Sequence, residues 1–434
     1  MRRMDLVRAA MATAACLASL AVTSPLHAQS DEELFGGGTT VVAAPPDTTR
    51  DLATSTFEES KTVVIGGDIT IVQSVDLWNG TISQTRGFWS QNLGLNFDTR
   101  PTDDFRVHGR GMYEMPNSLM SGTFSVQELF ADLSWNRTVH LRAGKQAANW
   151  GLGYWWSPAD ILSLTPIDQS DPTALRSGPV ALKVSLPIGL GQASAYATTQ
   201  GAASIDQVGF AARCEFVVGD SEFGVGGYWR KDNTVAPRLV GTASLRFLGL
   251  DWYAEAVGSN GSGAPDISLP GGLLFQGAAG FSWSDKDKEG RWDLRANGEY
   301  YYNGRGAADA AAISGHGWNH AGASFAAEGL GSSKLGVDAE WRSNLSDASG
   351  YARAVAAYEP VADFRLEAGC MAYYGPDGSE YTAVVEGIDC GSSGAATYAV
   401  ASLRLWKRTT LDIAYPLIGD GARPRLSLVF FGQF

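Results

Sequence analysis

The feature that most constrains the fold of this chain is an alternation of apolar and polar residues with a period of two, which starts near Lys61 and continues to the C terminus. Residues 334–342, for example, read KLGVDAEWR, in which Leu, Val, Ala and Trp alternate with glycine or charged residues. Side chains of a β-strand point to opposite faces in turn. The alternation therefore predicts strands with one apolar face and one polar face.

Three features favour a transmembrane barrel over a soluble β-sandwich. Many alternating runs are about ten residues long, the length of a tilted membrane-spanning strand. Charged residues recur in the middle of the polar face, as a water-filled lumen permits, and Trp and Tyr recur near strand ends, as in interfacial aromatic girdles. After the first 28 residues, no apolar run is long enough to cross a membrane as a helix. The predicted fold is an all-β, antiparallel transmembrane barrel of about 18–20 strands.

The N-terminal residues have the organisation of a secretory signal. Arg2, Arg3 and Arg8 precede an apolar run from Ala9, and small residues before position 29 offer a cleavage site. This pattern predicts a cleaved signal peptide over residues 1–28 and export to the cell envelope. Residues 29–60 are polar, acidic and broken by Gly and Pro, which predicts a flexible periplasmic segment. The alternatives for that segment are a short plug and a peptide that docks a partner.

Charge excludes one class of partner. The chain has 33 Lys+Arg and 46 Asp+Glu. Without the three arginines and one aspartate of residues 1–28, the net charge is about −15. Phosphate backbones are bound by clustered positive charge, so nucleic acid is not an expected partner. No cofactor motif is present. Cys214 and Cys370 are predicted to point outward, and a Cys370–Cys390 bridge remains open.

The connections between the predicted strands alternate in length. Short turns such as 136–138, 219–221 and 248–250 fall between longer connections such as 258–271 and 375–394. Short periplasmic turns opposite longer surface loops are typical of outer-membrane barrels. The number of strands should then be even, and residues 145–179 become a surface loop joining strands five and six.

Residues 145–179 break the alternation completely. Irregular connections of this length are usually functional, and an exposed loop rarely carries so many large aromatic residues. We therefore expect this loop to fold into the lumen, with a short helix over 159–164 after a Ser157 cap. The aromatic cluster either lines a path for solutes or anchors the loop to the wall. The candidate constriction residues on the loop are Trp150, Tyr154, Trp155, Trp156, Asp160, Asp168 and Asp171.

The chain ends in RLSLVFFGQF, with apolar side chains on one face and Phe434 as the last residue. This segment resembles the terminal strand that the insertion machinery recognises in Gram-negative outer-membrane barrels. With the signal sequence and the alternation, it makes residues 61–434 similar to the outer-membrane porins. One departure is that the loop lacks the acidic PEFGG-type sequence of general porins.

The resemblance implies an inward third loop that faces basic residues on the barrel wall. The inward basic positions on strands three, five and six are Arg106, His108, Arg110, His140, Arg142 and Lys183. Facing charges would set ion selectivity. The alternative is that they pair only to hold the loop in place.

The predicted function is a passive channel for small hydrophilic solutes in the outer membrane, in contact with its lipids and with no enzymatic step. The alternatives are a barrel with an adhesin or assembly role and, less favoured, an outer-membrane hydrolase, for which no G-x-S-x-G motif is present. His316 and His320 have zincin-like spacing, but they lie at the start of a strand, so no metal site is predicted. The solute and the oligomeric state, monomer or homo-oligomer, remain open.

Overall fold

The computed structural model describes residues 63–76, 86–116, 122–136, 138–169, 172, 176–199, 201–232, 235–260, 272–287, 292–304, 317–330, 334–361, 364–376, 379–381, 395–406, 409–418 and 425–433. Twenty strands account for nearly all regular structure in these residues. They are β1 (Val64–Asp76), β2 (Arg86–Thr102), β3 (Phe105–Pro116), β4 (Thr123–Trp135), β5 (Val139–Lys145), β6 (Val180–Ile188), β7 (Gly191–Thr198), β8 (Gly209–Val218), β9 (Ser221–Arg230), β10 (Arg238–Phe247), β11 (Leu250–Asn260), β12 (Leu273–Lys286), β13 (Asp293–Asn303), β14 (Asn319–Glu328), β15 (Leu335–Asn344), β16 (Ser349–Val361), β17 (Phe364–Tyr374), β18 (Ala395–Trp406), β19 (Thr409–Ile418) and β20 (Arg425–Gln433).

The strands form one closed antiparallel sheet. Each strand pairs with its neighbours in sequence, and β1 also pairs with β20, from Asp68 opposite Gln433 to Asp76 opposite Arg425. Closure leaves no edge strand with unpaired backbone groups, which a bilayer requires. The prediction of an all-β, antiparallel barrel of about 18–20 strands is confirmed, with 20 strands in the described residues and the long loop between β5 and β6.

The two faces of the barrel differ in the way the alternation predicts. The outward positions carry large apolar side chains that are exposed, among them Leu129, Leu182, Val225, Trp229 and Trp252. Neighbouring inward positions carry buried polar groups, among them Arg213, Glu255 and Glu299. No helix in the described part of the chain has the length and apolar character needed to cross a membrane.

The short connections have the geometry of tight turns. Leu248 and Gly249, between β10 and β11, have φ values of 55° and 76°, and Asn136 after β4 has a φ of 50°. Glycine and asparagine adopt this left-handed region at low cost, whereas Leu248 does so with strain. The turns at 136–138, 219–221 and 248–250 are therefore at the predicted positions.

Some of the predictions concern residues outside the described ranges. The signal peptide over residues 1–28, the segment 29–60, Phe434 and Cys390 all lie there. Cys214 and Cys370 are free and exposed, in agreement with their predicted outward orientation.

Candidate functional site

The loop after β5 runs along the inner face of the barrel. Its backbone and side chains contact inward residues of strands from β7 to β15, the face opposite to the exposed apolar side chains. Trp150 packs on Tyr196 of β7 with a ring-centroid distance of 5.8 Å. At the far end of the contact, Arg342 of β15 donates a hydrogen bond of 2.8 Å to Gln169 Oε1. The loop therefore covers about half of the inner circumference.

The predicted helix over 159–164 is wrong: this segment forms turns instead. Asp160 N–H donates to Ser157 O and Ser163 N–H donates to Asp160 O, each at 3.2 Å. A helix of one turn gains too few hydrogen bonds to offset the cost of nucleation. Tertiary contacts decide the conformation, because Ala159 and Leu162 are buried against the wall.

The first part of the loop is held by an arginine of the wall. The Arg213 guanidinium of β8 donates to the carbonyl oxygen of Trp150 and, at 3.1 Å, to Thr242 Oγ1. It also lies 5.6 Å from the Trp150 ring centroid, within cation–π range. The Arg213 side chain is only 8% exposed, so these contacts are made away from water.

The centre of the loop is held by one carboxyl group. Glu299 of β13 accepts hydrogen bonds from the backbone N–H groups of Tyr154 at 2.5 Å, Trp155 at 3.2 Å and Trp156 at 2.8 Å. The Tyr253 hydroxyl donates a fourth hydrogen bond, at 2.6 Å. A carboxylate only accepts, so four converging donors match its chemistry. Glu299 is therefore the main anchor of the aromatic segment.

A second wall carboxyl group and one within the loop complete the anchoring. Glu255 of β11 accepts from Leu152 N–H at 3.0 Å and from the Ser157 hydroxyl at 3.3 Å. Asp160 accepts from the N–H groups of Trp150 at 2.5 Å and Gly151 at 2.6 Å, and it forms an ion pair with Arg176. The polar backbone of the buried loop is thereby satisfied by acidic side chains.

Glycine is required where the loop folds on itself. A Cβ added to Gly153 would lie 1.8 Å from the carbonyl oxygen of Trp156. No side chain fits at that distance, so the close return of the chain needs glycine here.

An aromatic stack ties the loop to the long-loop end of the barrel. Trp156 lies parallel to Tyr301 of β13, with ring centroids 6.0 Å apart, and 5.6 Å from the ring of His320. His320 is fully buried, and its Nδ1 lies 3.8 Å from Glu380. His316, its proposed partner in a zincin-like pair, lies outside the described residues.

The predicted basic residues lie on β3, β5 and β6. Three of these six, Arg106, His108 and Arg142, have acidic partners on β2 or β4. Arg106 pairs with Asp98, and Arg142 Nε lies 2.6 Å from Asp132 Oδ1. The Lys183 ammonium lies 5.4 Å from the Tyr196 ring centroid, and Arg110 is an inward residue of β3. The side chains of Arg106 and Arg142 are 30% and 32% exposed, about four times the value for Arg213.

The predicted acidic residues of the loop have different positions. Asp160 is used inside the loop, Asp168 is exposed, and Asp171 lies outside the described residues. Sequence reasoning missed Glu255, Glu299, Arg213 and Arg176. The sequence feature that could have identified Glu255, Glu299 and Arg213 is that each lies in the middle of a strand on the polar, inward face.

Comparison with known proteins gave structural similarity only. No family model and no curated protein matches the sequence. Among solved structures, Pseudomonas aeruginosa OpdL has a TM-score of 0.43 and 10% identity, covering 86% of this chain and 100% of that one. P. aeruginosa OccK2 (OpdF), in complex with glucuronate, has a TM-score of 0.44 and 10% identity, covering 86% and 96%. Acinetobacter baumannii OccAB2 has a TM-score of 0.42 and 10% identity, covering 86% and 98%.

Proposed function

We propose that this chain is an outer-membrane, porin-like channel for passive diffusion of small hydrophilic solutes, narrowed by the loop over residues 145–179. One observation carries the proposal. The loop covers the inner wall from β7 to β15, whereas the charged side chains of β2 to β5 keep part of their surface open to water inside a closed barrel. Buried charges are costly unless water or a partner reaches them. A water-filled passage between the loop and this wall accounts for their exposure.

Transport through such a passage involves no chemical step. Solutes diffuse down their gradient, and the passage filters them by its width and by the charges that line it. The aromatic residues Trp150, Trp155 and Trp156 are 2–7% exposed, so we assign them to anchoring the loop and not to lining the solute path. The constriction is then formed by the exposed edge of the loop and the facing charged wall.

The proposed location follows from the outward apolar face and from the sequence. Residues 1–28 would direct export, and the segment ending at Phe434 would be recognised by the barrel insertion machinery. Outer-membrane lipids would cover the exposed Leu, Val, Phe and Trp side chains of the outer face. A homo-oligomer remains compatible with this arrangement.

Single-channel conductance tests the proposal. The refolded protein is compared in planar bilayers with a variant that lacks Gly153–Asp171, which removes the segment that Glu299 anchors. We expect discrete steps for the wild type and steps roughly twofold larger or more for the deletion, because the narrowest section sets the resistance of a pore.

Two other results would change the proposal. Absence of conductance in both proteins, with refolding verified by heat-modifiable migration, would overturn the channel and favour the adhesin or assembly role. Conductance in the deletion variant alone would overturn an open channel and indicate a barrel closed by its loop.

The lipid-facing surface gives a separate prediction. Leu129, at the middle of β4, is 47% exposed on the outer face. We expect Leu129→Arg to lower the free energy of unfolding in a bilayer by about 2–4 kcal/mol, because the guanidinium would sit in hydrocarbon. Urea unfolding in lipid vesicles measures the change, and Ser134→Arg, inward on the same strand, is the control. Equal destabilisation by both variants would contradict the lipid-facing assignment.

A further inference from the structure

The inner wall formed by β2 to β5 mixes charges of both signs at short range. Arg106 Nη1 lies 3.9 Å from Asp132 Oδ2, and Arg142 donates to the same carboxylate at 2.6 and 3.0 Å. Arg106 also pairs with Asp98. His108 lies between two acids, with Nδ1 3.2 Å from Asp98 and Nε2 3.7 Å from Glu128. Acidic and basic groups therefore alternate across β2 to β5.

The strand register explains this alternation. Arg106 of β3 lies opposite Asp132 of β4, and Asp132 lies opposite Arg142 of β5. Residues directly opposite each other in neighbouring antiparallel strands are about 4.5–5.5 Å apart at Cα, so their side chains meet on one face. The mixed-charge row is thus fixed by the backbone and does not depend on the position of the loop.

Such a row has a small net effect on a simple ion. Opposite charges within 4 Å of each other cancel at distances comparable to the Debye length, about 8–10 Å at physiological salt. Two further cations lie near it, since Lys183 is opposite Arg142 and Arg110 is opposite Glu128. With these two cations included, the net charge of this part of the wall is at most modestly positive, because Asp98, Glu128 and Asp132 offset most of the basic side chains.

A solute with both charges experiences this wall differently. Its carboxylate can approach an arginine while its ammonium approaches the neighbouring aspartate, so both of its charges are compensated when it loses part of its hydration. An anion gains only the first contact and faces the aspartates as well. The arrangement of paired charges therefore favours zwitterions over anions and cations of the same size.

We infer that the row formed by Asp98, Arg106, His108, Glu128, Asp132 and Arg142 is a selectivity surface for small zwitterionic solutes of the amino-acid type. This inference rests on the proposed channel function and specifies its solute class. Arg106, Asp132 and Arg142 are the central residues, because they form the continuous base–acid–base contact.

Two measurements test the inference. Permeability ratios for K⁺ and Cl⁻ come from reversal potentials in a salt gradient, and proteoliposome swelling compares glycine, lactate and glycerol as zwitterionic, anionic and neutral probes. For the wild type we expect a ratio within about twofold of one and faster swelling in glycine than in lactate. Asp132→Asn should leave both arginines without this partner, so it should make the pore anion-selective by several-fold and abolish the preference for glycine.

Variants of opposite sign complete the test. Arg142→Gln should make the pore cation-selective, whereas Arg246→Gln, an exposed arginine at the tight-turn end of β10, should leave both readouts unchanged. A wild type that conducts with strong anion selectivity and prefers lactate would overturn the inference and leave the channel intact. Absence of conductance would instead overturn the proposed function. Unchanged selectivity in Asp132→Asn and Arg142→Gln, with wild-type conductance, would remove this row from the solute path.

Discussion

Replacing Glu299 by glutamine is expected to release the centre of the loop from the barrel wall. The carboxyl group accepts three backbone N–H hydrogen bonds from residues 154–156 and one from the Tyr253 hydroxyl. Glutamine has one acceptor oxygen, and its NH₂ group would face donors. Each buried donor left without a partner costs about 1–3 kcal/mol, so docking of the loop should weaken by about 3 kcal/mol or more.

Limited proteolysis and single-channel recording measure this release. Cleavage within residues 150–169 should become at least tenfold faster, and the conductance should rise or fluctuate between levels. Glu222→Gln is the matched control, because this glutamate of β9 is exposed. A Glu299→Gln barrel that stays folded and shows wild-type cleavage and conductance would contradict the anchoring role.

Removing the Trp155 ring is expected to have an effect of similar size by a different mechanism. Trp155 is 2% exposed and packs against Tyr154, with ring centroids 4.7 Å apart, and against Trp156. Trp155→Ala would leave a cavity between the loop and the wall. Such substitutions of large buried aromatics cost about 3–5 kcal/mol. The substitution should weaken docking of the loop without unfolding the barrel, because the strand pairing that closes the sheet does not involve Trp155.

Chemical denaturation with loop proteolysis as the readout measures the change, and Trp229→Ala is the control because that ring is 48% exposed on the outer face. A second pair of variants tests the contact from the wall side. A Cβ on Gly322 would lie 2.8 Å from Trp155 Cε3, whereas one on Gly241 would meet no atom within 4 Å. Gly322→Ala should therefore loosen the loop and Gly241→Ala should not. Equal effects of the two alanines, or a Trp155→Ala loop as resistant as the wild type, would contradict this packing.

The Glu299 hydrogen bonds and the Trp155 packing show that residues of the barrel wall fix the position of the loop. Glu299 lies on β13, and Gly322 beside Trp155 lies on β14. Arg213 holds the Trp150 carbonyl from β8. Because the contacts come from several strands, no single substitution should displace the whole loop. Graded changes in conductance are expected for single anchors, and full widening only for the deletion.

Alternation by itself determined that the chain forms strands and which residues share a face of each strand. A period of two indicates a strand with two different faces. This interpretation does not require knowing which strands are its neighbours. The outward positions of Leu129 and Trp252 and the inward positions of Arg142 and Glu299 follow from it directly. The tight turns were also predictable, because the residue types of a turn and the short distance in sequence between its two strands are local properties.

What only the tertiary structure decided is which residues meet across the barrel. Glu299 is separated from Trp155 by 144 positions in the chain, and no local pattern relates them. The sequence suggested that acids of the loop would face bases of the wall. In the structure, Asp160 satisfies backbone groups of its own loop, and Arg106 and Arg142 pair with acids on adjacent strands. The reason is physical: an irregular buried backbone needs acceptors for its N–H groups, and which carboxyl groups supply them depends on closure of the barrel.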